Sequence, residues 1–210
     1  MVEDARFLAP VARGPLIERH RAAGARIETR QGWQVAVQYP CEPAASAAAT
    51  VLADLSHRPT FEINGADVDV ALTALCGEAP AVRAIYDAGA WQAYRLAPGR
   101  AIIMGSAPAD KRAIDVTGGW ATLALLGPHA HDVLSRVTAV DLRPGTMPVL
   151  SCCQGPLFAV NTLFGRFANR LELHLCSDSA EFVWDVLFDA GAEFNLTPAG
   201  ADFFEREAAA

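Results

Sequence analysis

The hexapeptide DLSHRP places a carboxylate, an imidazole and a guanidinium within five residues, at Asp54, His57 and Arg58. Side by side, such groups could grip an amine, an acid or a pterin ring. They could equally form a hydrogen-bonded corner that fixes the chain where it enters a sheet, because structural ion-pair networks mimic sites. A second candidate is the HxH at His129 and His131. On a strand both rings would face one side and could share a metal. Here Gly127 and Pro128 open a helix at that point, and residues two apart on a helix diverge. With no Cys, Asp or Glu at ligand spacing, no metal is expected, and the pair reads as solvent-facing at a helix start. Asp87, Asp110 and Asp115 are separated by loops or strands and form no acid–base pair. The chain contains no P-loop, GxGxxG, GxSxG or HExxH motif.

These side chains must be held by elements that alternate between two periodicities. PLIERHRAAGARIETR predicts a short helix stopped at Gly24 and then a strand, followed by the alternating strand GWQVAVQY. EPAASAAATVLADLS carries Pro43 at a position suited to a first helical turn and is Ala-rich, which predicts a helix. HRPTFEING reads as a strand ending in the turn pair Asn64-Gly65. ADVDVALTALCG reads as an amphipathic helix with Val68, Leu72 and Leu75 on one face. Three short strands follow (AVRAIYDAG, WQAYRL, RAIIMG), then the strand WATLALLG and the helix HAHDVLSRV. A Pro/Gly-rich connection leads to further strands through RLELHLCS and to the helix SAEFVWDVLFDAG, which Ser177 or Ser179 could cap. A strand and a short helix or tail close the chain. Two runs of strand–helix–strand–strand–strand type predict an α+β fold, antiparallel sheets with helices packed on them. A soft boundary near Ser106–Lys111 divides residues 1–106 from 107–210, the two halves forming one compact unit.

The 210 residues are 52% hydrophobic and 20% charged with a net charge of −7, the composition of a folded globular chain. The acidic balance and the lack of Lys/Arg clusters argue against nucleic acid or an anionic membrane as partner. No apolar run is long enough to span a bilayer, and MVEDARFLAP has no signal-like apolar stretch. Five cysteines without CxxC spacing read as reduced, buried thiols, which implies a cytoplasmic home. The four tryptophans fall at apolar-pattern positions and read as packing residues.

Several segments, in order, resemble the aminomethyltransferase (glycine-cleavage T-protein) superfamily: LIERHRAAGARIETRQGWQVAVQYP, LADLSHRPTFEINGADV, WATLALLGPHAHDVLSRV, and SAEFVWDVLFDAG followed by NLTPAG. The resemblance implies a shortened T-protein-like folate-binding fold, with tetrahydrofolate as ligand and no flavin or metal on this chain. By position it implies a folate pocket around Asp54, His57, Arg58 and Tyr94. Two departures matter. The stretch that supplies the family's catalytic aspartate is missing between Cys76 and Tyr94. The segment that carries its folate-contacting glutamate reads FGRFANRLELHL, with Glu172 inside a strand. The shortened middle and AVDLRPGTMPVLSCCQGPL are similar to the gamma subunit of heterotetrameric sarcosine oxidase, matching at Asp141, Leu142, Pro144, Pro148, Ser151, Cys152 and Gln154. That likeness implies an accessory, non-catalytic partner of larger oxidase or dehydrogenase subunits in the oxidative demethylation of an N-methyl amino acid. A stand-alone tetrahydrofolate-dependent aminomethyltransferase and a folate-binding scaffold without turnover remain open beside it.

Overall fold

A computed structural model describes residues 11–44, 46–105 and 110–208. The opening stretch 1–10 and positions 106–109 of the expected boundary lie outside the described residues. The first elements are strand β1 (Ala12–Arg13), helix α1 (Ile17–Ala22) and strands β2 (Arg26–Arg30), β3 (Trp33–Gln38), β4 (Val51–Asp54) and β5 (Thr60–Asn64). Helix α2 (Val68–Cys76) precedes β6 (Ile85–Asp87), β7 (Trp91–Ala97), β8 (Arg100–Gly105) and β9 (Ile114–Asp115). Then come β10 (Trp120–Leu126), α3 (Ala130–Ser135), β11 (Ser151–Leu157), β12 (Val160–Arg166) and β13 (Arg170–Cys176). Helix α4 (Ala180–Gly191), β14 (Thr197–Ala199) and α5 (Ala201–Ala208) follow.

The strands form three sheets with orders β1-β3-β2, β11-β12-β13-β10-β4-β14 and β6-β7-β8-β5-β9. Most pairs are antiparallel; β1 runs parallel to β3, and β14 parallel to β4. The α+β class with helices on largely antiparallel sheets is therefore the observed one. One face of the six-stranded sheet buries Leu123, Leu125, Leu171 and Leu173 against Val133 and Leu134 of α3 and Val183 and Leu187 of α4. Its other face meets the five-stranded sheet, where Tyr94, Ile102 and Met104 pack on Cys152, Leu163 and Phe167. The far side of the five-stranded sheet is covered by Val68, Ala71 and Leu72 of α2. The result is a helix–sheet–sheet–helix stack, and any charge between the two sheets is withdrawn from water.

Three expectations are corrected. Among the described residues the helix predicted to begin at Pro43 is absent; 46–49 are turns and a bend, and 51–54 are the strand β4. Val51, Leu52 and Ala53 are buried on both faces between β10 and β14, and a continuous apolar run of that length carries no periodicity to tell strand from helix. Cys41 and Cys176 are exposed rather than buried. Ser179 occupies the start of α4, but its hydroxyl donates to Asp178 Oδ1 (3.0 Å) and does not cap the helix. The tryptophans are packing residues, Trp184 buried in the core and Trp33, Trp91 and Trp120 half-buried against separate clusters.

Two backbone junctions fix the site-bearing segments. Gly200 joins β14 to α5 with its Cα against the Val37 carbonyl, and its N–H donates to Glu42 Oε1 (2.7 Å). The same oxygen accepts from the Tyr39 N–H (2.7 Å), so one carboxylate ties the end of β3 to the start of α5. Gly127, at φ +105°, packs on the Ala49 carbonyl where β10 turns toward α3, a conformation that L side chains rarely adopt.

Candidate functional site

At the middle of β13 stands Glu172, fully buried in the face turned to the five-stranded sheet. Its cross-strand neighbours are Ala124 and Gly165, whose small size leaves room for a large side chain from the facing sheet. Tyr94 fills it: a Cβ on Gly165 would come within 2.8 Å of the Tyr94 ring. The Tyr94 hydroxyl donates to Glu172 Oε2 (2.7 Å), and Arg170 Nε donates to Oε1 (2.6 Å). Arg58 approaches the same Oε1 at 3.9 Å and donates to Gln92 Oε1 (2.6 Å). Gln92 in turn donates to Asp87 Oδ1 and to the Gly89 carbonyl, both at 3.0 Å, and so holds the β6–β7 hairpin. His174, two residues along the same strand face, sits with Nδ1 3.2 Å from the Thr122 hydroxyl. Its Nε2 lies 3.6 Å from Glu172 Oε2, beyond hydrogen-bonding distance.

Asp54 leads a second chain. The Tyr39 hydroxyl donates to His20 Nδ1 (2.5 Å), and His20 Nε2–H donates to Asp54 Oδ2 (2.8 Å). That direction follows because a carboxylate can only accept. Asp54 Oδ1 accepts from the Ser56 N–H (2.9 Å) and hydroxyl (2.5 Å), and Ser56 Oγ accepts from the Thr122 N–H (3.1 Å). Thr122, on β10, thus joins the Asp54 group to His174. His57 and Arg58 turn the other way and line a cavity of about 500 Å³ with Arg30, Leu55, Phe204 and Glu205. Of the four predicted pocket residues, the structure puts His57 and Arg58 on the cavity wall, Tyr94 behind Arg58 in the core, and Asp54 in the neighbouring hydrogen-bonded corner.

The electrostatics follow from burial and partners. Burial alone would raise the Glu172 carboxyl, but Arg58 and Arg170 override it and hold it below the usual carboxylate range. Asp54 is likewise depressed, burial opposing it and the His20 and Ser56 hydrogen bonds winning. Burial pushes Tyr94 well above its ordinary value, with Glu172 adding to the effect. Burial lowers both His57 and His174 to about 4, leaving each neutral at pH 7. Cys152 is pushed up to about 12 by burial, so the vicinal pair Cys152 and Cys153 has no thiolate character.

A pH dependence follows from His174. Its folded value, about 4, lies below the unfolded 6.5, so on acidification the unfolded chain takes up the proton first. Stability should hold above about pH 6.5 and fall by about 3 kcal/mol toward pH 4 from this fully buried group. Glu172 and Asp54 add to the fall at lower pH, as protons reach their depressed carboxyls. Urea midpoints taken from about pH 7.5 to 4.5 read this out; a midpoint unchanged over that range would contradict it.

The model of the GCVT N-terminal domain matches residues 99–206, just over half of the chain. The chain belongs to this family. Its GCVT relatives include an aminomethyltransferase of Saccharopolyspora erythraea, 28% identical over 89% of this chain and 60% of that protein. Sarcosine oxidase subunit alpha of Rhizobium meliloti is 28% identical over 44% of this chain and 10% of that protein. The chain therefore spans about three-fifths of the length of that first aminomethyltransferase. Two solved structures share the fold at 18% identity. One is the heterotetrameric sarcosine oxidase from Corynebacterium sp. U-96, with TM-score 0.67 over 86% of this chain and 95% of that one. The other is the glycine cleavage system aminomethyltransferase T from Bartonella henselae, with TM-score 0.71 over 92% and 60%. The GCVT family match includes β10 and β13, the strands that carry Thr122, Glu172 and His174.

Sequence reasoning did not place Glu172, Arg170 and His174 in this site. The signal was present. RLELHL puts Arg170, Glu172 and His174 on one face of a strand whose other face is all leucine. Three polar residues at period two inside a doubly buried strand demand partners. His129 donates no ligand geometry: its Nδ1 pairs with Asp132 (2.9 Å) and its ring stacks on Phe194 (centroids 4.9 Å). Among the described residues no group of three metal-ligating side chains converges, and no helix is long and apolar enough to cross a membrane.

Proposed function

We propose that this chain is a reduced one-carbon protein of the cytoplasm, its halves 1–106 and 107–210 acting as one unit. It binds a tetrahydrofolate-type ligand in the cavity beside His57 and Arg58. It serves as an accessory, non-catalytic partner of larger oxidase or dehydrogenase subunits in the oxidative demethylation of an N-methyl amino acid. The cavity is of ligand size, with an apolar wall at Leu55 and Phe204 for a flat ring and the guanidinium of Arg58 for a carboxylate.

The observation that carries the non-catalytic part is that the two buried carboxylates beside the cavity, Glu172 and Asp54, are committed. Glu172 is sealed from the cavity and bonded to Tyr94 and Arg170, Asp54 is held by His20 and Ser56, and Glu205 on the wall is an exposed surface carboxylate near Arg30 (3.4 Å). Handling a folate nitrogen needs a carboxylate within reach of the ligand. A stand-alone transferase has one observation in its favour, the carboxylate of Glu172 beside Tyr94, and it requires Arg58 to swing aside and open that carboxylate to the cavity.

Calorimetric titration with tetrahydrofolate, paired with an assay for one-carbon transfer by the chain alone, separates these readings. Saturable binding without transfer is expected, with Arg58→Ala weakening affinity about tenfold or more through loss of charge-assisted hydrogen bonds. No binding at millimolar ligand overturns the folate assignment, and transfer that Glu172→Gln abolishes overturns the non-catalytic one.

A further inference from the structure

A second cavity, about 410 Å³, opens between the β12–β13 hairpin and the segment entering α3. Its wall includes Arg166, Phe167, Asn169, Arg170 and His131, and no Asp or Glu lines it. In a chain of net charge −7 such a lining is a local inversion of sign.

The two guanidiniums are not equivalent. Arg170 is fixed: its Nε is bound to Glu172 and its guanidinium lies 3.7 Å over the Phe167 ring centroid. Glu172 is shared with Arg58, so one carboxylate faces two guanidiniums and the cluster keeps a positive charge. Arg166 has no carboxylate partner among the described residues. One of its terminal nitrogens donates to the Leu142 carbonyl, and its Nε is buried with no hydrogen-bond partner. Burial without an offsetting acid holds Arg166 below the ordinary guanidinium value. Glu207, which approaches through Ser46, is occupied by the Ser46 N–H (2.9 Å) and hydroxyl (2.6 Å). A buried guanidinium donor left unmatched is costly, and a bound anion relieves that cost.

We propose that this cavity binds a small molecule through an oxyanion, a carboxylate or a phosphate, held by Arg166 with Arg170 as the fixed second cation. The planar fork of arginine suits either group, and Phe167 and Leu171 add apolar surface to the cavity wall. The site shares no lining residue with the cavity at Arg58, so its failure leaves the folate assignment standing, and the reverse also holds.

The test is nitrogen–proton NMR of the arginine Nε groups in the whole chain. Inorganic phosphate and acetate are titrated separately at constant ionic strength, with chloride as the balancing ion. A saturable shift at Arg166 Nε is expected with at least one anion. Saturation by phosphate identifies a phosphate-bearing ligand, and by acetate a carboxylate-bearing one. Arg166→Gln should weaken binding tenfold or more, while Arg143→Gln, on the surface and paired with Asp141, should leave it unchanged. Linear, unsaturating shifts that are equal at Arg166 and Arg143 overturn the proposal, as does undiminished affinity in the Arg166→Gln protein. The wild-type resonance itself answers the question even if a variant folds poorly.

Discussion

Glu172→Ala is expected to cost about 3–5 kcal/mol of folding stability, because it strips the shared counter-charge from two guanidiniums in the space between the sheets. Arg170 has its side chain 92% withdrawn from solvent, and Arg58 84%. Both are largely withdrawn from water although each lines a cavity wall, so neither regains full hydration in place. The Tyr94 hydroxyl loses its acceptor at the same time, a further unsatisfied polar group in a buried position. Glu172→Gln restores volume and one acceptor but no charge, and should recover less than half of the loss. Urea unfolding of the two variants beside the parent measures this; a loss below about 1 kcal/mol in the alanine variant would show that the cluster is not under electrostatic load.

Gly200→Ala should be comparably damaging for a different reason. A Cβ there would overlap the Val37 carbonyl and the Gln38 nitrogen, and both are backbone atoms that no rotamer change can move. The collision must push α5 away from β3 and with it the Glu42 bridge to Tyr39 and Gly200. A cost of about 3–5 kcal/mol is expected, at the severe end for a single methyl group. Because Phe204 and Glu205 of α5 line the first cavity, residual folded protein should also bind tetrahydrofolate more weakly. Stability and affinity measured together check both parts; a variant within about 1 kcal/mol of the parent would falsify the close-approach argument.

Most of the architecture was legible because the elements announce themselves through period and punctuation. The strands β2, β3, β5 to β8, β10 and β13 and the helices α1 to α4 stand where alternation, helical spacing and glycine turns put them. Strand β4 was not legible. Its four residues follow an alanine-rich stretch, and only the pairing with β10 and β14 decides their state. Of the four residues the resemblance named, two stand on a cavity wall. DLSHRP advertised its chemistry, and His57 and Arg58 do reach a cavity. Which way each side chain turns was set by partners far along the chain: His20 and Ser56 claim Asp54, while Glu172 claims Tyr94. Glu172 itself was seen as a strand residue and dismissed, since its role depends on Tyr94 crossing from another sheet over Gly165.

The placement of β4 between β10 and β14 has a consequence for biosynthesis. A strand made early must wait, edges open, for one partner at residues 120–126 and for another at 197–199. Unpaired edges invite other chains, and pairings this distant in sequence form slowly. Nascent chains halted before residue 197 should therefore remain protease-sensitive and in need of chaperones, and protection should arrive in a single late step.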